Sequence, residues 1–299
     1  MKLTSFQRLA IWTTATTYFL ILVGGLVRVS GAGLGCPDWP RCFGSWIPPS
    51  SAASLPPQFD PAQFNKALMW TEYVNRLLGV TVGFLIFATA ISAWRHHRHQ
   101  PRILWTTIAA FLLVGYEGWL GGRVVAHELA PWIVTAHLIV AIVIVQLLLY
   151  ATFQAMTRTT RGVASAGVSV AVALLIALTL LQAGVGTQVR GTIDDALDAG
   201  VARNAALGTV GRLDFLHRDL AGLTFIATTL LVLWMLSKRS PLVGWSFVIL
   251  AVTLAQIALG GFMAYGSLLP AVQVGHLTLA SLLLGAETVL WLQSRRSDT

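Results

Sequence analysis

Three histidines, His137, His217 and His276, each lie inside a long apolar stretch, about a turn from one of its ends. An ionisable side chain at such a depth in a membrane is costly and marks function by default. The alternative for a lone histidine is an interhelical hydrogen bond. His217 and His276 sit at equal depth on two helices of one half, and facing imidazoles from two helices are a common way to hold a haem iron. Beside His137, the position corresponding to His217 holds Asn75, a poor iron ligand. A haem there would be held from one side at most, which suits a site that binds substrate or oxygen. Glu72 precedes Asn75 by three residues, so both project from one helical face. A carboxylate at that depth must be paired, protonated or used in chemistry; the structural alternative is an ion pair with a neighbouring arginine. Arg28, Arg76, Arg123, Arg190 and Arg218 gather near the same helix ends. They either snorkel to headgroups or bind haem propionates through paired hydrogen bonds. Arg76 and Arg218, directly following the site positions, are the preferred propionate candidates.

The elements that must position these residues are membrane spans. Of 299 residues, 56% are hydrophobic and 11% charged, where a soluble domain carries about a quarter charged. Apolar runs near 9–28, 69–93, 103–123, 132–152, 165–187, 214–236, 242–263 and 271–292 each approach the roughly 20 residues that cross a bilayer core. The fold class is therefore all-α integral membrane, with eight transmembrane helices arranged as two four-helix bundles, 1–155 and 156–299. The first run follows Lys2 and Arg8, as a signal peptide would, but Val27-Arg28-Val29-Ser30 lacks a small-residue cleavage site, so it is read as a span.

The net charge of +8 does not point to nucleic acid. Lys2, Arg8, Arg95, Arg98, Arg102, Arg158, Arg161, Lys238, Arg239, Arg295 and Arg296 fall at the termini or in the even-to-odd loops, with Asp298 the only acid outside the spans there. That asymmetry puts both termini in the cytoplasm and the loop holding Cys36 and Cys42 outside. The two cysteines, six residues apart in an oxidising compartment, are able to form a disulfide. So short a ring suits a local clamp or a redox role better than a fold-wide staple.

An internal repeat pairs residues that a linear reading leaves unrelated. Pro131, His137 and Gly121-Gly122 fall on Pro270, His276 and Gly260-Gly261 at an offset of 139. Glu72, Asn75 and Arg76 fall on Asp214, His217 and Arg218 at an offset of 142, and Gly24-x-x-x-Arg28 falls on Gly186-x-x-x-Arg190 at 162. The offset changes because the external loop near 31–68 is longer than its counterpart near 191–212. Four helices per copy keep both copies in one orientation, with the symmetry axis along the membrane normal. Glu117, matched by Gln256, is a further buried acid with no assigned role. The glycine pairs allow close packing of helices or of a flat cofactor. His96, His97 and His99 belong to a basic loop, His127 to a short external one, and the tryptophans mark interfaces. There is no phosphate loop, zinc spacing or serine-hydrolase elbow.

Taken together these residues resemble the haem A synthase family. The matching stretches are Gly24-Gly-Leu-Val-Arg28 through Cys36-Pro-Asp-Trp39-Pro-Arg-Cys42, Glu72-x-x-Asn75-Arg76, Ala136-His137-Leu138, Leu216-His217-Arg218 and Gly275-His276-Leu277. The likeness covers nearly the whole chain. It implies oxidation of the C8 methyl of haem O to the formyl group of haem A, for terminal oxidases. It further implies haem b as cofactor between His217 and His276 in the C-terminal half, with Arg218 and Arg190 beside it. The N-terminal half would take substrate haem O at His137, Asn75, Arg76 and Arg28. Glu72 would be catalytic, and the Cys36–Cys42 pair would support the reaction or haem transfer. Implied partners are haem O synthase and terminal oxidase assembly, in a bacterial-type cell membrane. The position of Asn75 is usually histidine in that family, and a second external cysteine pair of some members is missing. Two rival classes are a di-haem cytochrome b-like electron carrier, which Asn75 disfavours, and a haem-handling transporter, which the mostly apolar midplane disfavours.

Overall fold

The computed structural model describes residues 2–156, 165–203 and 205–295. Arg158, Arg161, Arg296 and Asp298, used in the charge reading, lie outside them. Among the described residues, eight helices are long and apolar enough to cross a membrane: α1 Ser5–Val29, α2 Lys66–His97, α3 Pro101–Ala126, α4 Pro131–Ala155, α5 Ala166–Asp198, α6 Arg212–Ser237, α7 Val243–Tyr265 and α8 Pro270–Ser294. The protein is an all-α, multi-pass membrane protein. In each helix only 11–44% of the most apolar window is buried within the protein. Lipid must cover the rest, because apolar surface of that extent is not left to water.

Local chemistry sets the helix starts. Thr4 and Gln7 form a reciprocal capping box at α1, and Asn65 accepts the Ala67 and Leu68 N–H groups at α2. Pro101, Pro131 and Pro270 open α3, α4 and α8, where a missing N–H costs nothing. Threonines inside the spans return their hydroxyls to the preceding turn, and Thr13 and Thr89 also meet at 2.9 Å to join α1 to α2.

The chain divides into two compact units, Met1–Val145 and Gln146–Thr299. In the first, α1 packs on α2 and α2 on α3. In the second, α5, α6, α7 and α8 close a ring in which α5 also packs on α8. Val172, Leu175, Leu231, Ile249, Leu283 and Leu290 fill one end of that ring.

Helix α5 runs eleven residues beyond the expected end of its span at 187, into what the sequence reading leaves as loop. The extension is held by the Arg190–Asp194 ion pair, one turn apart, and by Val189, Ile193 and Ala196 packing with Ala206, Val210 and Leu268. The long segment between α1 and α2 is also ordered. It carries short 3-10 turns at Ala32–Leu34, Ala52–Ser54 and Pro61–Gln63, and a small core of its own.

Candidate functional site

In the first unit the cysteine loop is bolted to α2. Cys36 and Cys42 form a disulfide and are fully buried with Phe43 and Met69. Gly35 lies so close to α2 that a Cβ there would come within 2.4 Å of the Leu68 carbonyl oxygen. Glu72, 4% exposed, accepts the Cys36 N–H at Oε2 (3.0 Å) and pairs through Oε1 with Arg76. Arg76 then donates to the carbonyls of Asp38 (2.7 Å), Arg41 (2.9 Å) and Cys36 (3.1 Å). The ion pair held open as a structural alternative for Glu72 is therefore present, and it serves the loop. Within that loop, Asp38 accepts the Phe43 and Gly44 N–H groups at 2.6 and 2.8 Å. The Trp39 indole lies over Gly122 of α3, where a Cβ would approach the ring to 3.0 Å.

His137 sits six residues into α4. Its Nδ1 is 3.1 Å from Glu117 Oε1 on α3, off hydrogen-bond alignment, so that neither Glu117 oxygen nor His137 Nδ1 has a hydrogen-bond partner. Gly121, one turn beyond Glu117, leaves room beside the ring; a Cβ there would be 3.7 Å from His137 Cε1. Asn75 Oδ1 is likewise buried without a hydrogen-bond partner. Arg28 falls in the last turn of α1. Arg123 donates to His127 (2.7 Å), which gives that histidine a local role.

The second unit brings His217 and His276 together, with ring centroids 6.4 Å apart and planes inclined at 68°. Both Nδ1 atoms are buried and make no aligned hydrogen bond, although His217 lies beside the Gln182 backbone and His276 beside that of Gln256. A Cβ at Gly186 would crowd His217 Cε1 at 2.9 Å, whereas one at Gly260 would make only ordinary contact with His276 Cε1 at 3.5 Å. Arg218 forms a two-pronged pair with Asp214 (3.0 and 2.7 Å) and donates to the Tyr265 hydroxyl (2.9 Å). Arg190 pairs with Asp194 (2.5 Å) and Gln273. Each of these guanidiniums already serves a protein carboxylate and would offer a propionate only its remaining N–H groups, while the five N–H groups of Arg76 are all engaged by Glu72 and the loop carbonyls.

One buried acid escaped the sequence reading. Glu287 on α8, 0% exposed, accepts from Thr179 of α5 at 2.9 Å, while its other oxygen has no hydrogen-bond partner. Its signal was available, since an acid in an apolar span is itself a flag. It has no partner in the repeat, however, because Leu148 stands at the matching position.

A family model described as cytochrome oxidase assembly protein matches residues 7–288. Among curated proteins, the heme A synthase of Geobacillus kaustophilus is 34% identical over 124 residues, 42% of this chain and 34% of the relative. That of Shewanella oneidensis is 33% identical over 171 residues, covering 55% and 48%. That of Allorhizobium ampelinum is 26% identical over 216 residues, covering 62% and 56%. The matches thus span between about a third and just over half of these relatives' own lengths.

Proposed function

The chain belongs to the cytochrome oxidase assembly protein family, and from that premise we propose that it is a haem A synthase, oxidising the C8 methyl of haem O to a formyl group. Relatives with the printed name heme A synthase support the reading. The observation that carries it is the inequality of the two units. One brings two imidazoles within 6.4 Å of each other, while the other has a single imidazole, His137, with asparagine where the repeat puts a histidine.

The second unit fits a haem b as resident cofactor. Two imidazoles brought together from separate helices are a fitting donor set for a haem iron. The rings of His217 and His276 are 6.4 Å apart, with a bare glycine against each. His217 and His276 would hold the iron, and a haem bound there would supply one-electron transfer. Tyr265 and Asp214 fix Arg218 at the rim, and Gln273 and Asp194 fix Arg190.

The first unit receives the substrate porphyrin. His137 orients it, Asn75 leaves its other side open, and Arg76 and Arg28 stand at the rim beside the cysteine loop. Glu72 acts from beneath that loop, either stabilising positive charge that develops at the reacting methyl or carrying its proton. The Trp39 indole stands against Gly122 of α3 at this end.

Expression with and without a haem O synthase, followed by extraction and chromatography of the haems, tests the reading. Haem A, or a hydroxylated haem O, is expected only in the co-expression. Haem B alone in both would overturn it in favour of an electron carrier.

A further inference from the structure

Glu117 is a buried acid that the proposed reaction leaves without a task. A buried carboxyl with neither oxygen hydrogen-bonded is exceptional in a folded protein, yet Glu117 is in that position, its side chain only 13% exposed. Its nearest polar contact is the Nδ1 of His137, itself buried and without an aligned partner, 3.1 Å away. At that separation the two atoms are within hydrogen-bonding distance and lack only alignment. The ring lies beside Gly121, which stands one helical turn from Glu117 on the same face of α3 and presents no side chain to it.

We propose that Glu117 is a positioning residue for the substrate site: its carboxyl takes the Nδ1–H of His137 and so presents Nε2 to the iron of the bound porphyrin. The proposal rests on reading His137 as the ligand of that iron. A carboxylate behind a ligating imidazole fixes its tautomer and ring orientation and raises its basicity. Those effects matter most where the iron has one protein ligand and an open opposite face.

The second unit supplies the contrast. There the position of Glu117 is Gln256, with Gly260 one turn on and His276 opposite, so the frame is the same and the acid alone is replaced. Gln256 Nε2 donates to the backbone carbonyl of His276 (2.9 Å), away from the ring. An amide suffices where His217 supplies a second imidazole from the other side. The acid accompanies the asparagine, and the amide accompanies the histidine. Each unit thus carries a matched pair of ligand and support.

The test uses the full-length protein in detergent or nanodiscs, loaded with haem O and reduced, and compares it with Glu117→Gln and the apolar Glu117→Met. Resonance Raman isolates the site, because an iron–histidine stretch arises from five-coordinate haem and not from a bis-histidine centre. The expected result is a lower iron–histidine frequency in both variants. Haem O should also dissociate more readily from this site, with a loss of affinity of about 10–100-fold. The low-spin spectrum of the second unit, recorded on the same sample, reports folding. An unchanged frequency in either folded variant overturns the proposal, and so does loss of the low-spin spectrum in both, which would assign Glu117 to folding. Absence of any iron–histidine band in the loaded wild type would instead overturn His137 as the ligand, a distinct failure that removes the reading beneath the proposal.

Discussion

The carboxylate of Glu72 has two jobs that a single substitution separates. It accepts the Cys36 N–H and it holds Arg76, which secures three carbonyls of the cysteine loop. Glu72→Gln keeps the size and an acceptor for Cys36 but removes the charge. The expected outcome is a protein that still binds haem b yet forms no haem A, scored by extracting haems after co-expression with haem O synthase; undiminished conversion would remove Glu72 from the chemistry. For the second unit, His217→Ala and His276→Ala should each abolish the low-spin haem spectrum, since either change leaves the iron with one ligand. Persistence of that spectrum in either variant would dismiss the pair as ligands. The residues named in these two tests were readable from the sequence because depth and repeat position flag them without any structure. The partners of Glu72, Arg218 and Glu117 were less readable. Asp214 lies one turn from Arg218, but Tyr265 and the loop carbonyls come from other elements, and no spacing rule brings them into register.

At the scale of elements, spans were legible to within a few residues from their apolar runs, except at the end of α5. What the hydropathy hid was structure beyond the bilayer core. The last turns of α5 are polar and gain their stability from Val189, Ile193 and Ala196 docking on the following loop. The cysteine loop builds its core from Phe43, Met69 and neighbouring aromatics, a long-range arrangement with no periodicity to read. Gly35 is where that loop meets α2 backbone to backbone, with a built Cβ 2.4 Å from the Leu68 oxygen and 2.8 Å from the Met69 nitrogen. Main chain cannot move aside as a flexible side chain would. Gly35→Ala should therefore lift the loop from α2 and stretch the Cys36–Glu72 contact, at a cost of about 1–3 kcal/mol. Gly24→Ala in α1, where nothing lies within 4 Å of the built Cβ, is the matched control. Limited proteolysis at Arg41 should be faster in the Gly35 variant than in the control, and equal rates would show that the close approach carries no strain.

For the whole molecule, orientation follows from charge rather than from packing. Arg98 lies in the α2–α3 connection, with Arg95 in the last turn of α2 and Arg102 in the first turn of α3, and the α1–α2 segment with its disulfide meets α2 at its other end; Lys238 and Arg239 lie in the α6–α7 connection. Basic residues are retained on the cytoplasmic side during insertion, so the cysteine loop should be external, together with the histidine ends of α4, α6 and α8. This matters for the proposed chemistry, because a substrate porphyrin would then bind near the outer leaflet. Since the native cysteines are already joined, a single added thiol can report topology. Ala62→Cys and His99→Cys place that thiol at exposed positions in the α1–α2 and α2–α3 connections, respectively. In intact spheroplasts a membrane-impermeant maleimide should label the Ala62 variant and spare the His99 variant, which should react only after the membrane is opened. The reverse pattern would invert the protein and move the haem sites to the cytoplasmic face. That outcome would mean the basic loops serve something other than orientation, and the oxidising environment assumed for the Cys36–Cys42 disulfide would have to be abandoned with it.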